Sequence, residues 1–127
     1  MGGNEGRMSE IWPSELKVSK DKRLLTVTFN DGVVAALPAE MLRVLSPSAE
    51  VQGHGPGQKV TVPGKRHVTI RQMVPTGNYA VRIGFDDGHD TGIFTWLYLR
   101  ELGESGDEKF AAYEAELVEK RLSRDPR

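Results

Sequence analysis

The sequence predicts an α+β domain made of small antiparallel sheets, built from two hairpin-plus-helix units and completed by an additional C-terminal amphipathic helix. Three observations predict it. A block is written twice, F-N-D-G at 29–32 and F-D-D-G at 85–88, each leading through a short strand into a segment carrying Leu-Arg. The stretches before both turns alternate apolar and polar residues, the period of a half-buried strand. The last twenty-odd residues switch to helical spacing, with Phe110, Tyr113, Leu117 and Arg121 along one side.

In order, residues 24–29 alternate and end at Asn30-Asp31-Gly32. That is a two-residue type I′ hairpin signal, so 33–37 should return antiparallel. Pro38 suits the first turn of a helix whose apolar stripe is Met41, Leu42 and Leu45, ending at Ser46-Pro47. Residues 46–66 carry four glycines and three prolines with almost no apolar period, which predicts a long loop. Strands are then expected over 67–74 and 79–85, joined by Pro75-Thr76-Gly77-Asn78, with a short third strand ending near Phe94. Thr95 can cap a helix over 96–102 that Gly103 stops, and Ser105 to Glu108 has the spacing of a capping box for the last helix. That helix packs on the sheet or holds a partner chain. Within the repeat, Phe29, Asp31, Gly32 and Leu37 recur as Phe85, Asp87, Gly88 and Ile93. After one inserted residue Leu42, Arg43 and Leu45 recur as Leu99, Arg100 and Leu102.

The expected organisation is a flexible tail over 1–10, one domain over 11–104, and the C-terminal helix and tail over 105–127. The 127 residues suit a single core. No run approaches membrane-spanning length and the N-terminus lacks an apolar signal core, so the expected location is the cytoplasm. Without a single cysteine, the chain has no disulfides, thiolate nucleophiles or thiolate metal sites of its own. The net charge of −1 conceals a segment over 51–85 that holds no acidic residue while carrying Lys59, Lys65, Arg66, Arg71 and Arg82.

Only the second copy adds chemistry, in the run H-D-T-G-I-F-T-W. His89 follows the turn among Asp86, Asp87 and Asp90, and imidazole with carboxylate suits zinc, iron or manganese. Turn formation accounts for Asp86 and Asp87, whereas His89 has no part in it. His54 lies in G-H-G-P-G, a connector able to bend toward the second hairpin, so His54, His89 and Asp90 form a candidate metal set with iron or zinc as the candidate cofactor. A mobile loop carrying a stray histidine is the competing account. His67, beside Lys65 and Arg66, reads as a surface residue. The run G-H-G-P-G-Q-K lacks the spacing of a phosphate-binding Walker loop, and Ser46 and Ser48 have neither a nucleophile elbow nor a base that spacing reveals. If Thr76-Gly77 centres the second hairpin, Arg71 faces Arg82, and opposed like charges need an anion between them. A glutamate of the last helix or an external anion would serve. No exposed aromatics accompany these arginines, which disfavours nucleic acid.

The runs D-G-x-x-x-x-L-P-x-E-x-L-R-x-x-S-P-S-A-E, G-H-G-P-G-Q and G-N-Y-A-V-R-I-x-F-D-D-G-H-D-T-G-I-F-T-W-x-Y-L-R-x-L-G, spanning Trp12 to Gly103, resemble the gamma-butyrobetaine hydroxylase-like N-terminal domain family. The resemblance implies a small α+β module. In the eukaryotic hydroxylases it precedes a separate iron- and 2-oxoglutarate-dependent catalytic domain, and elsewhere it is fused to an iron–sulfur carrier ATPase of the Mrp type. This chain is similar to standalone bacterial members, and without the catalytic double-stranded β-helix it is expected to lack the oxygenase activity. The hydroxylases' module holds zinc through three cysteines and a histidine. His89 matches that histidine, while the cysteines fall near Ser46, Ser48 and Val51, so such a zinc is not expected here.

The expected function is a non-enzymatic binding or accessory module linked to iron or iron–sulfur metabolism, with a protein partner such as an iron–sulfur carrier or an oxygenase. Its expected pocket gathers Arg43, Ser46, Ser48, Glu50, His54, Asp87, His89, Asp90 and Trp96. The alternatives are a metal-binding protein or metal-dependent enzyme using His54, His89 and Asp90 or Asp87, and an anion or nucleic-acid adaptor through Arg71 and Arg82.

Overall fold

A computed structural model describes residues 10–53 and 59–126. The expected tail over 1–10, Glu10 apart, and His54 of the connector lie outside the described residues. The chain forms two three-stranded antiparallel sheets, β1 (Pro13–Val18), β2 (Leu24–Phe29) and β3 (Val34–Pro38) in the first, β4 (Ile70–Thr76), β5 (Ala80–Phe85) and β6 (Gly92–Thr95) in the second. Each sheet is a meander with its middle strand second in sequence. Helix α1 (Ala39–Val44) follows the first, a single turn α2 (Ala49–Gln52) comes next, and α3 (Trp96–Glu119) follows the second. The expected α+β class and repeated architecture are therefore observed.

One core serves both units. Leu25, Val27, Phe29 and Leu37 from the first sheet join Val81, Ile83, Phe85 and Phe94 from the second, closed by Leu42 and Leu99 of the two helices. The burial shifts the repeat by one position. Leu37 lies opposite Leu25, and its counterpart opposite Val81 is the fully buried Phe94, whereas Ile93 points outward. The inserted residue therefore lies at 90–91, in the second turn, and not after the strand.

Both turns are one residue longer than a two-residue type I′ hairpin. Gly32 N–H bonds to Phe29 O and Phe29 N–H to Val33 O; Gly88 N–H bonds to Phe85 O and Phe85 N–H to His89 O. The left-handed residue is the glycine, φ +88° at Gly32 and +92° at Gly88, and the two residues before it keep negative φ. This is a three-residue loop with a glycine bulge, the alternative that Asn-Asp-Gly also satisfies. The following residue pair also repeats. Asn30 is bonded through its side chain to Trp12 N–H, and Asp86 accepts from Thr69 N–H, so each turn pins the start of its own sheet.

The helical turn α2 falls within the expected loop, and two further elements differ from expectation for identifiable reasons. Strand β1 carries the sequence P-S-E-L-K-V and is exposed along most of its length, an edge strand opening on a proline and bulged between Pro13 and Glu15, without the alternation that marks a buried strand. Helix α3 runs unbroken through Gly103 and Gly106, across the expected boundary at 104–105. The glycines serve approach and not termination: a Cβ on Gly103 would stand 2.7 Å from Ala35 Cβ, and one on Gly106 2.8 Å from Met41 Sδ. Tyr113 and Leu117 of the same helix are buried in the shared core, so its C-terminal half packs on its own domain. The start agrees with expectation, since Thr95 Oγ1 accepts from Tyr98 N–H at 3.0 Å. No helix among the described residues is long and apolar enough to cross a membrane.

The close approach at Gly103 sets a sign. Helix propensity alone favours Gly103→Ala by about 1 kcal/mol, but the Ala35 contact is with a side chain that has no rotamer to yield. Urea denaturation of Gly103→Ala is expected to show a net loss of roughly 1–2 kcal/mol, whereas a glycine merely ending a helix would give a gain.

Candidate functional site

The helices and turns exchange charge partners between the two units. Arg43 of α1 donates from Nε to Asp87 Oδ2 of the second turn at 2.7 Å, and Arg100 of α3 donates to both oxygens of Asp31 in the first turn at 2.9 and 3.2 Å. Each aspartate also caps its own turn, Asp31 taking Val33 N–H and Asp87 taking His89 N–H. The Arg43–Asp87 pair is the buried one, with Lys65 Nζ at 2.6 Å from the same carboxylate oxygen. Burial works to raise the Asp87 carboxyl, but Lys65, the His89 amide and Arg43 outweigh it and hold it at about 2.

Beside this pair His89 closes a second network. Its Nε2 lies 3.2 Å from both Ser46 Oγ and Ser48 Oγ, and its Nδ1 lies 3.3 Å from Glu50 Oε1. Ser46 Oγ donates to Ser48 Oγ at 3.3 Å, and Thr91 Oγ1 donates to the same Glu50 oxygen. A neutral ring with its proton on Nδ1, facing Glu50, accepts at Nε2 and completes one directed chain from Ser46 to Glu50. Burial lowers the His89 pKa first, Arg43 lowers it further, and Glu50, Asp87 and Asp90 oppose them; the ring remains below its ordinary value.

This arrangement supplies the base that spacing did not reveal, in the order hydroxyl, imidazole, carboxylate. Access decides its use. Ser46 is 0% and Ser48 7% exposed, and a Cβ on Gly92 would stand 2.4 Å from the Ser46 hydroxyl, so both oxygens are packed inside the junction. The network clasps the segment after α1 to the second hairpin. Nor does it fit a zinc at Nε2: the donors on that side of the ring are two neutral hydroxyls, Glu50 lies across the ring at Nδ1, and Val51, the remaining matched position, is a buried aliphatic side chain.

The expected pocket is thus partly assembled. Arg43 meets Asp87, and Ser46, Ser48 and Glu50 surround His89, but as a packed junction. Asp90 turns away toward Arg82, whose Nη1 donates to the Asp90 carbonyl at 3.0 Å. Among the described residues no three His, Cys, Asp or Glu side chains converge as a metal set; His54 falls outside them. Trp96 lies at the far end of β6, its indole N–H donating to Asn78 O. Arg71 and Arg82 do not oppose each other. The hairpin pairs Thr76 with Ala80, so Arg82 faces Val74, and Arg71 falls where the register slips between Ile70 and Gln72. A three-residue turn with Gly77 in the left-handed region, φ +57°, produces that shift.

Around Trp96 the structure adds residues that the sequence did not single out. Glu10, Ile11, Trp12, Asn78, Tyr79, Thr95 and Leu97 join it around a groove of about 460 Å³ between the start of β1 and the start of α3. Trp12, Tyr79 and Leu97 stand 48%, 54% and 59% exposed. The available signal was an indole and a phenol in segments otherwise polar and turn-forming. Nothing in their spacing brings them together, because Asn30 and the second hairpin do so in three dimensions.

Two outcomes follow from the charge geometry. Asp87→Ala leaves Arg43 buried, with its Nη1 already lacking a hydrogen-bond partner among the described residues; urea denaturation should register a loss of about 3 kcal/mol, larger than that of Asp31→Ala at the exposed counterpart. For His89 the folded pKa lies below the unfolded value of 6.5, so its contribution is intact above that pH and is lost as pH falls from 6.5 toward the folded pKa. The urea midpoint should therefore fall between pH 7 and pH 5.5 in the wild type, and fall less steeply in His89→Ala.

The gamma-butyrobetaine hydroxylase-like N-terminal family model matches residues 16–100. Two proteins solved by NMR superpose on this fold, one 47% identical with a TM-score of 0.78, covering 91% of this chain and 90% of its own, the other 42% identical with a TM-score of 0.77, covering 91% and 87%. A crystal structure of a protein of unknown function from Acidithiobacillus ferrooxidans, assigned to the DUF971 family, is 42% identical with a TM-score of 0.60, covering 72% of this chain and 91% of its own. No curated protein matches. By this match over most of its length, the chain belongs to the gamma-butyrobetaine hydroxylase-like N-terminal domain family.

Proposed function

We propose that this chain is a non-catalytic accessory module, acting in the cytoplasm, that docks a protein partner through the groove at Trp12, Tyr79 and Leu97. The observation that carries the reading is the exposure of those three large side chains around one depression. Exposed apolar groups scattered singly need no explanation, but aromatics gathered around a concavity are what protein interfaces concentrate. The backbone around them is fixed, since Asn30 bonds both N–H and C=O of Trp12, and the Trp96 N–H is held by Tyr79 O. A rigid groove loses little entropy when occupied. The seal over Ser46 argues for a holding role at the other polar cluster. Fusion of related modules to Mrp-type iron–sulfur carriers and to oxygenases makes those two classes the first partners to try.

Calorimetric titration of the purified chain with an Mrp-type carrier ATPase and with an oxygenase of the hydroxylase class tests this. Binding to one of them is expected, weakened at least roughly ten-fold by the double substitution Tyr79→Ser and Leu97→Ser, as for residues at an interface centre. The melting temperature should be retained because both side chains are exposed. Binding that survives the double substitution, or no binding to either class, rejects the reading.

A further inference from the structure

The molecule binds a guanidinium twice by one recipe. Arg100 stacks over the Phe29 ring at 5.1 Å while Asp31 and Glu104 take its N–H groups at 2.9–3.2 Å. Arg124 stacks over Phe110 at 5.2 Å while Glu40 takes two N–H groups at 2.7 and 2.8 Å and Glu114 a third at 3.3 Å. In both cases a ring face receives the flat cation and carboxylates receive its edge. Arginine suits such a site better than lysine, because its plane stacks while its fork of donors reaches sideways.

The groove presents the same components, and among the described residues that line it there is no cation. Trp12, Tyr79 and Trp96 supply aromatic rings and Glu10 supplies a carboxylate. Indole is the most attractive of the aromatic faces for a cation. The Trp96 N–H groups are already committed to Asn78 and Tyr79 carbonyls, which fixes that ring at the edge of the core, while the rings of Trp12 and Tyr79 stand 48% and 54% exposed beside it. Among the described residues Glu10 is the one ionisable lining group besides the weakly acidic Tyr79 phenol, so charge complementarity selects a cation. We infer that this groove receives an arginine side chain supplied by the partner protein. The inference rests on the docking reading above and specifies the partner's anchor.

The probe is N-acetyl-arginine amide, titrated into the isotope-labelled chain and followed on the indole N–H signals of Trp12 and Trp96. Its citrulline counterpart keeps the shape and removes the charge. The expected result is saturable shifts of both indoles by the arginine probe, with affinity lower by roughly two- to five-fold for citrulline, the size of an exposed cation–π contact, and a comparable drop in Glu10→Gln. Tyr79→Ser, which alters an exposed ring, should weaken the arginine response without changing the melting temperature.

Equal responses to the two probes overturn the inference, as do arginine shifts confined to residues away from the groove. Loss of partner binding in the Tyr79→Ser and Leu97→Ser double variant, together with a silent arginine titration, would remove the arginine anchor and leave the docking reading standing. If both assays are negative, both readings fall. Indole shifts on simple dilution, without probe, would place a second copy of the chain in the groove and reject an arginine partner.

Discussion

Two aspartate–arginine pairs, each formed between one unit's turn and the other unit's helix, are the constraint around which the fold is arranged. Arg43 belongs to the first unit and answers Asp87 of the second; Arg100 belongs to the second and answers Asp31 of the first. Each aspartate is simultaneously the cap of its own turn. Turn geometry, helix position and the packing of Phe29 and Phe85 beneath are therefore coupled. Ion pairs of this kind add modestly to stability when exposed, and when buried they mainly penalise any arrangement that leaves one partner alone. Their contribution here is to register, selecting the one packing of two similar units in which both aspartates find a guanidinium.

The repeat, the positions of the two turns and the capped start of the long helix were legible, because local periodicity and motif order encode them, whereas the nearness of His89 to Ser46 and Ser48 was implied only by the family resemblance. What was not legible required knowledge of distant neighbours. Gly103 carries the signature of a helix stop, and only the position of Ala35 reveals that it is a contact glycine. Asn-Asp-Gly satisfies two turn types, and the sign of φ at the preceding residues separates them. Spacing alone centres the second hairpin at Thr76-Gly77, whereas the three-residue turn moves its centre to Asn78 and sets Arg82 opposite Val74. The groove at Trp12 and Tyr79 joins segments 67 positions apart in the chain, beyond any spacing argument.

The junction at His89 shows how a position can keep its geometry while its chemistry changes. Ser46 and Ser48 remain directed at Nε2, and Glu50 occupies the opposite nitrogen. Three side chains, Ser46, Ser48 and Glu50, partner the two nitrogens of one imidazole, so the ring and the hydroxyls beside it are hydrogen-bonded within the seam. Such a seam is directional. It tolerates the neutral ring, and an extra proton on Nε2 would turn an acceptor toward two hydroxyl oxygens into a donor.

The exchanged pairs have a consequence for how the chain is built. An interaction in which residue i of one half meets residue j of the other, and j of the first meets i of the second, is the contact pattern of a two-fold symmetric dimer. The chain thus carries, within one covalent molecule, the reciprocal contact pattern of such a dimer. Covalent linkage also frees the halves from identity: an added residue at 90–91 and a longer closing helix could accumulate in one half alone, giving a polar junction on one side of the pseudo-dyad that has no counterpart on the other.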